Sequence, residues 1–161
     1  MNTKIFEYPV FFRFLYRFGN IPVTFLLSVY LIPSVIYLDK SLAYLLPVIG
    51  ILILIYFINK RYLYLYKIVP YKIIADDEKL VCTKFFLIEK ERIIFYSDIG
   101  SLSGGVFGGS LKGLMKVSDG KNKICIGFFN KIKDAKELER IILSKVKNEV
   151  YNKVLENTGW K

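Results

Sequence analysis

Two runs without a charged residue, 21–38 and 41–58, dominate the first third of the chain. At ~1.5 Å rise per residue, a helix over either run is about 27 Å long, close to the hydrocarbon thickness of a bilayer. Only Asp39 and Lys40 separate the runs, so the pattern predicts an antiparallel transmembrane helical hairpin over 21–58 with a very short turn. Pro33 and Pro47 lie inside it, where each deletes a backbone hydrogen bond, a loss that membrane helices tolerate better than soluble ones. Ser41-Leu42-Ala43 has the spacing of a signal-peptide cleavage site, but a second apolar span follows and the preceding stretch is too long for an h-region, so no cleavage is expected. Residues 1–20 form a cytosolic or interfacial segment. Within it Ile5–Phe18 is rich in aromatics and puts Arg13 and Arg17 one helical turn apart, which suits a helix in the inner leaflet or an extension of the first span. Residues 59–69 read as a juxtamembrane linker.

After Pro70 the continuous apolar pattern gives way to short runs divided by turn signals. Strands are predicted over Tyr71–Ala75, Leu80–Ile88, Arg92–Tyr96, Leu114–Val117 and Ile124–Phe129, with Asp76-Asp77-Glu78 as a turn and Asp119-Gly120 as hairpin chemistry that permits positive φ. The last element is helical. Asp134 and Glu137 have capping-box-like spacing, and Leu138, Ile141, Ile142, Val146, Val150 and Val154 recur at three- and four-residue steps. Residues 70–161 thus form an antiparallel domain whose C-terminal amphipathic helix must lay its stripe on the sheet.

Composition sharpens this division. With 53% hydrophobic residues the chain is not disordered. Residues 1–59 carry four basic and two acidic groups and the remainder 20 and 12, so a small basic domain follows a nearly neutral anchor. Lys4, Arg13 and Arg17 precede the first span, and Lys60, Arg61, Lys67 and Lys72 follow the second, whereas the turn holds one Lys beside an Asp. The positive-inside bias then predicts a multi-pass protein of the cytoplasmic (inner) membrane with both termini and the domain in the cytosol. Arg13, Arg17, Lys60, Arg61, Tyr62 and Tyr64 are the expected membrane-interface residues, in an aromatic belt that Tyr66 extends. Cys82 and Cys125, in apolar strand-like surroundings, read as reduced core thiols.

The order of two apolar helices, short antiparallel strands and a C-terminal helix resembles bacterial membrane proteins with a pleckstrin-homology-like (PH-like) domain. The residues that carry the resemblance are Tyr71-Lys72-Ile73-Ile74-Ala75-Asp76-Asp77, Ile93-Ile94-Phe95-Tyr96-Ser97-Asp98-Ile99, the glycine-rich stretch after it, and Ile126-Gly127-Phe128-Phe129-Asn130. They span roughly residues 60–150. The resemblance implies an α+β membrane protein in which the hairpin precedes a small PH-like β-barrel or sandwich, capped by the helix and serving as an interaction or scaffold module. PH domains that bind phosphoinositides do so with basic residues around their first hairpin loop; Asp76, Asp77 and Glu78 stand there in this chain, which argues against inositol-lipid recognition at that place.

Histidine is absent, which removes the commonest general base and most zinc sites. Asp76-Asp77-Glu78 lacks EF-hand spacing, and Gly108 and Gly113 have P-loop spacing with Leu114 where Lys is required. No catalytic residue, metal or cofactor is therefore expected. Nucleic acid is not expected as a partner, because the aromatics that would stack bases lie in predicted spans or core strands. Anionic lipid remains, with Lys112, Lys116, Lys121 and Lys123 as the candidate ligand or lipid patch and a merely solvated surface as its alternative. Glu89, Glu91 and Asp98 would need to converge to revive an enzyme. The expected function is a membrane-anchored, non-enzymatic module that presents a basic cytosolic domain to a protein partner or a second copy, aided by anionic lipid. The alternative is a small accessory subunit of a transport or pore complex, weakened by the lack of ionisable groups inside the predicted spans.

Overall fold

The computed structural model describes residues 3–86, 91–110 and 112–159. The chain is α+β and divides into two compact units: Met1–Arg13 with Tyr66–Lys161, and Phe14–Leu65.

The first unit holds two antiparallel sheets. The four-stranded sheet runs in chain order through β1 (Lys4–Glu7), β2 (Lys72–Ala75), β3 (Lys79–Thr83) and β4 (Arg92–Phe95). The three-stranded sheet runs through β5 (Ile99–Ser103), β6 (Leu114–Asp119) and β7 (Cys125–Phe129). A 3₁₀ turn over Tyr96–Asp98 carries the chain from one sheet to the other. Alternation fixes the faces. In the larger sheet Phe6, Ile73, Ala75, Leu80, Cys82 and Ile94 point inward. Ile5, Ile74, Val81 and Ile93 form a row across its other face, where Ile5 and Ile93 are exposed. Ile99, Leu102, Met115, Val117, Ile126 and Phe128 supply the buried side of the smaller sheet.

Two helices complete this core. α4 (Ala135–Lys145) buries Leu138 and Ile142, and α5 (Asn148–Thr158) buries Val150 and Val154. α5 packs on β5 and on the 3₁₀ turn Gly105–Gly108. Within the glycine-rich stretch, Gly104 has φ +70°, and a Cβ there would collide with the Leu114 carbonyl. Gly104 thus allows close strand approach.

The structure corrects several expectations. The sheets do not close into a barrel: among the described residues no strand of one sheet pairs with a strand of the other, and near β7 the link is a hydrogen bond from Phe129 N to the Tyr8 hydroxyl. The segment 5–18, expected as one helix, begins with β1 and becomes helical only at α1 (Val10–Phe18), because Pro9 biases Tyr8 to extended backbone and ends the strand. Strand Leu80–Ile88 is shorter, ending at Thr83; residues 87–90 lie outside those described. β5 forms in a stretch for which the sequence pattern predicts no strand. The single C-terminal helix is broken where Val146 and Lys147 are extended. Asp134 makes no side-chain cap and is itself left-handed (φ +55°), so the capping box does not form; Glu137 pairs with Lys4 instead. At the β6–β7 turn the left-handed residue is Lys123, not Asp119 or Gly120, and Gly120 serves to let the backbone of Gly100 approach.

The second unit carries most of α1, all of α2 (Asn20–Ile36), and α3 (Leu45–Ile68) up to Leu65. A 3₁₀ turn over Tyr37–Asp39 extends α2, and α3 runs ten residues past the predicted span, so the expected linker is helix. Both helices are long and apolar enough to cross a membrane, and their most apolar windows bury nothing. They form an antiparallel pair: the Tyr37 and Tyr44 rings meet at the turn with centroids 5.5 Å apart, and Asn20 faces Asn59 at the other end.

Candidate functional site

The chain leaves the four-stranded sheet at Tyr8 and re-enters it at Tyr71, so the hairpin is an insertion between β1 and β2. The two tyrosines close its base, their rings edge to face with centroids 6.4 Å apart. Tyr8 is only 2% exposed; its hydroxyl accepts a hydrogen bond from Phe129 N at 2.7 Å, and Lys133 N donates to the Glu7 carbonyl at 3.1 Å. A four-residue edge strand is thereby tied to both sheets.

Cations gather around this closure. Arg13 Nη2 donates to the Tyr8 carbonyl at 3.1 Å and lies 3.4 Å from Glu7 Oε2, while Lys72 Nζ lies 3.7 Å from Glu7 Oε1. Lys131 Nζ stands 5.6 Å from the centroid of the Phe12 ring. Arg13 Nε is buried and has no hydrogen-bond partner among the described residues. Beside these groups α1 exposes Val10 and Phe11.

The expected interface residues meet different fates. Arg13 belongs to the cluster just described. Arg17 lies over the Phe18 ring at 5.2 Å, and Lys60 over the Tyr56 ring at 5.3 Å. Arg61 and Tyr64 are exposed on α3, whereas Tyr62 packs against Gly19, where an added methyl would strike its hydroxyl. Lys112 precedes β6, Lys116 lies on it, and Lys121 and Lys123 lie in the turn that follows it. β6 separates Lys112 from Lys121 and Lys123, and Lys121 is paired with Asp98 at 2.5 Å, which holds its ammonium above the ordinary lysine range. Of the three acids considered for catalysis, Asp98 is in that pair, Glu91 is exposed and Glu89 lies outside the described residues.

Other polar groups serve turns or the core. Partial desolvation opposes the charge of Asp76, but the amides of Glu78 and Lys79, at 2.8 and 2.7 Å, outweigh it and hold the carboxyl below its usual range. Asp119 behaves likewise: desolvation opposes its charge, while the Asn122 side chain and the Lys121 and Asn122 amides lower its pKa. Burial pushes the Cys82 thiol up, the setting of an inert thiol, and Cys125 is a second free thiol, half-buried. Among the described residues no three His, Cys, Asp or Glu side chains could hold a metal ion. A hollow of about 370 Å³ lies between Asp77, Glu78, Phe95, Tyr96, Ser97 and Lys145, but Lys145 already bonds the Asp76 carbonyl at 2.8 Å.

Sequence reasoning missed the closure and a polar knot in the hairpin. Asn59 Nδ2 donates to Thr24 Oγ1 at 3.0 Å and to the Ile55 carbonyl at 2.9 Å, and its Oδ1 accepts from Asn20 at 2.8 Å. The alternation Lys4-Ile5-Phe6-Glu7 before Tyr8-Pro9 was the available signal for β1, and an amide at the edge of an apolar run was the signal for the knot. No family model, curated protein or solved structure matches the chain.

Proposed function

We propose that this is a membrane-anchored interaction module: a two-helix hairpin crosses the cytoplasmic membrane and a basic PH-like domain in the cytosol engages a protein partner or a second copy, aided by anionic lipid. The observation that carries this reading is the pairing of β1 with β2. Because strands on either side of the hairpin share one sheet, both ends of the hairpin belong on one side of a bilayer, as an even number of spans requires. The outward-facing apolar surfaces of both helices support insertion, and the excess of Lys and Arg at the hairpin's ends over its Asp39-Lys40 turn supports a cytosolic domain. Four plus three antiparallel strands followed by helices support the PH-like reading.

Thiol labelling in intact cells tests it. In a background with Cys82 and Cys125 replaced, Lys40→Cys should react with an impermeant reagent, and Lys153→Cys, exposed on α5, only after the cells are opened. The reverse pattern would place the domain outside the cytosol. Equal protection of both sites until lysis would remove the spans. Solute flux through liposomes containing this chain alone would replace the module with the transport reading.

A further inference from the structure

We infer that Arg13, Lys72 and Lys131, at the base of the hairpin, form a binding site for the phosphate of an anionic glycerophospholipid. This rests on the membrane-anchored reading above and moves the lipid contact away from the lysines around β6.

Three observations carry it. The first is charge: Arg13 and Lys72 flank a single carboxylate, Glu7, one cation toward each oxygen at 3.4 and 3.7 Å, and Lys131 faces an aromatic ring with no carboxylate paired to it among the described residues. One Glu cannot neutralise three cations, and neither contact has the 2.7–2.9 Å length of a tight charge-assisted hydrogen bond. The second is the unsatisfied guanidinium. Arg13 is held by Nη2 to the Tyr8 carbonyl while its buried Nε has no acceptor among the described residues, an arrangement that an acceptor with several oxygens would complete by re-seating the fork. The third distinguishes a lipid from a free anion. Val10 is 79% and Phe11 69% exposed on the same short helix that carries Arg13, and Ile5 is 58% exposed on the strand that carries Glu7. A soluble phosphate has no use for such neighbours; a headgroup brings acyl chains with it.

The site is assembled from three parts of the chain. Arg13 comes from α1, Lys72 from the start of β2, and Lys131 from the connection between β7 and α4. Tyr8 fixes their spacing by joining β1 to Tyr71 and Phe129. The occupied lipid would therefore fasten the edge strand on which the four-stranded sheet is completed.

Native mass spectrometry of the full-length protein, released from detergent with equimolar phosphatidylglycerol and phosphatidylcholine, tests the site. Phosphatidylglycerol adducts should dominate, and Lys131→Gln should reduce them about five-fold, the weight of one cation close to a lipid surface. Arg13→Gln should reduce them further, whereas Lys123→Gln at the β6–β7 turn should leave them unchanged. Lys131 carries the test if Arg13→Gln does not fold, because its side chain supports no backbone hydrogen bond among those described. Equal uptake of both lipids, equal loss in Lys131→Gln and Lys123→Gln, or displacement of the lipid by millimolar inorganic phosphate would each overturn the inference. Alkaline carbonate extraction separates the two levels. A chain that stays with the membrane yet fails to discriminate lipids loses only this site, and a chain that is extracted loses the anchor as well.

Discussion

The two units use the same kinds of residue in opposite ways. In the unit built from the chain's two ends, Phe6, Leu80, Ile94, Phe107, Phe128 and Leu138 are at most 2% exposed, and polar positions alternate with apolar ones to keep them inside. In Phe14–Leu65, Phe25 is 70% exposed, Tyr30 61% and Phe57 59%, and the hydrogen bonds turn inward to Asn59. One unit hides its apolar surface, while the other leaves it exposed, as the membrane insertion proposed above requires. Hydrophobicity alone thus says little about where a side chain goes; its periodicity does.

Paired substitutions would break this contrast most sharply. Phe6→Ala should destabilise the sheet unit by about 3–5 kcal/mol, a large share of the stability of a small domain, and should open it to pulse proteolysis. Phe25→Ala, made in the same chain, should leave that unit's protease resistance unchanged, since Phe25 contributes nothing to its core. Equal effects would mean that the two units do not differ in the way described.

A smaller effect tests what holds the hairpin together. Asn59→Leu removes both donors and the acceptor of the knot and should weaken the helix pair by about 0.6–2 kcal/mol, read as a lower detergent concentration for separation in a sodium dodecyl sulfate titration. The same substitution should leave proteolysis of the sheet unit untouched.

The smallest effect is electrostatic and confined to the sheet unit. The folded state holds Asp119 below its ordinary pKa, so it binds fewer protons there than the unfolded chain does. The stabilisation is present above about pH 4, the unfolded carboxyl range, and is lost as pH falls toward the folded value. Asp119→Asn should flatten the acid limb of stability against pH in that window; a limb of unchanged slope would assign it to other carboxylates, Asp76 first.

Legibility followed the length of the signal. The hairpin was readable because eighteen uncharged residues in a row admit few alternatives, and its short turn because only two charges interrupt them. β1 was not, since four residues are too few for a period and the partner strand lies beyond the hairpin. The candidate lysines are spread along a strand: six extended residues of β6 lie between Lys112 and Lys121, a span of roughly 20 Å. The break between α4 and α5 carried no Gly or Pro to announce it. The proposed lipid site joins residues 13, 72 and 131, a grouping that exists only after the sheet has formed.

The placement of β1 sets a timetable for synthesis. Glu7 pairs with Lys72, 65 positions further along, so at about 5–20 residues per second the first strand leaves the ribosome roughly 3–13 s ahead of its partner. During that interval its amides and carbonyls are an unpaired edge, and Phe6 and Tyr8, both buried in the folded unit, lack the surroundings that later enclose them. β1 and β2 can meet only when the segment between them has doubled back. Completion of the sheet therefore waits on the hairpin, because β1 has no β2 to pair with until the chain returns.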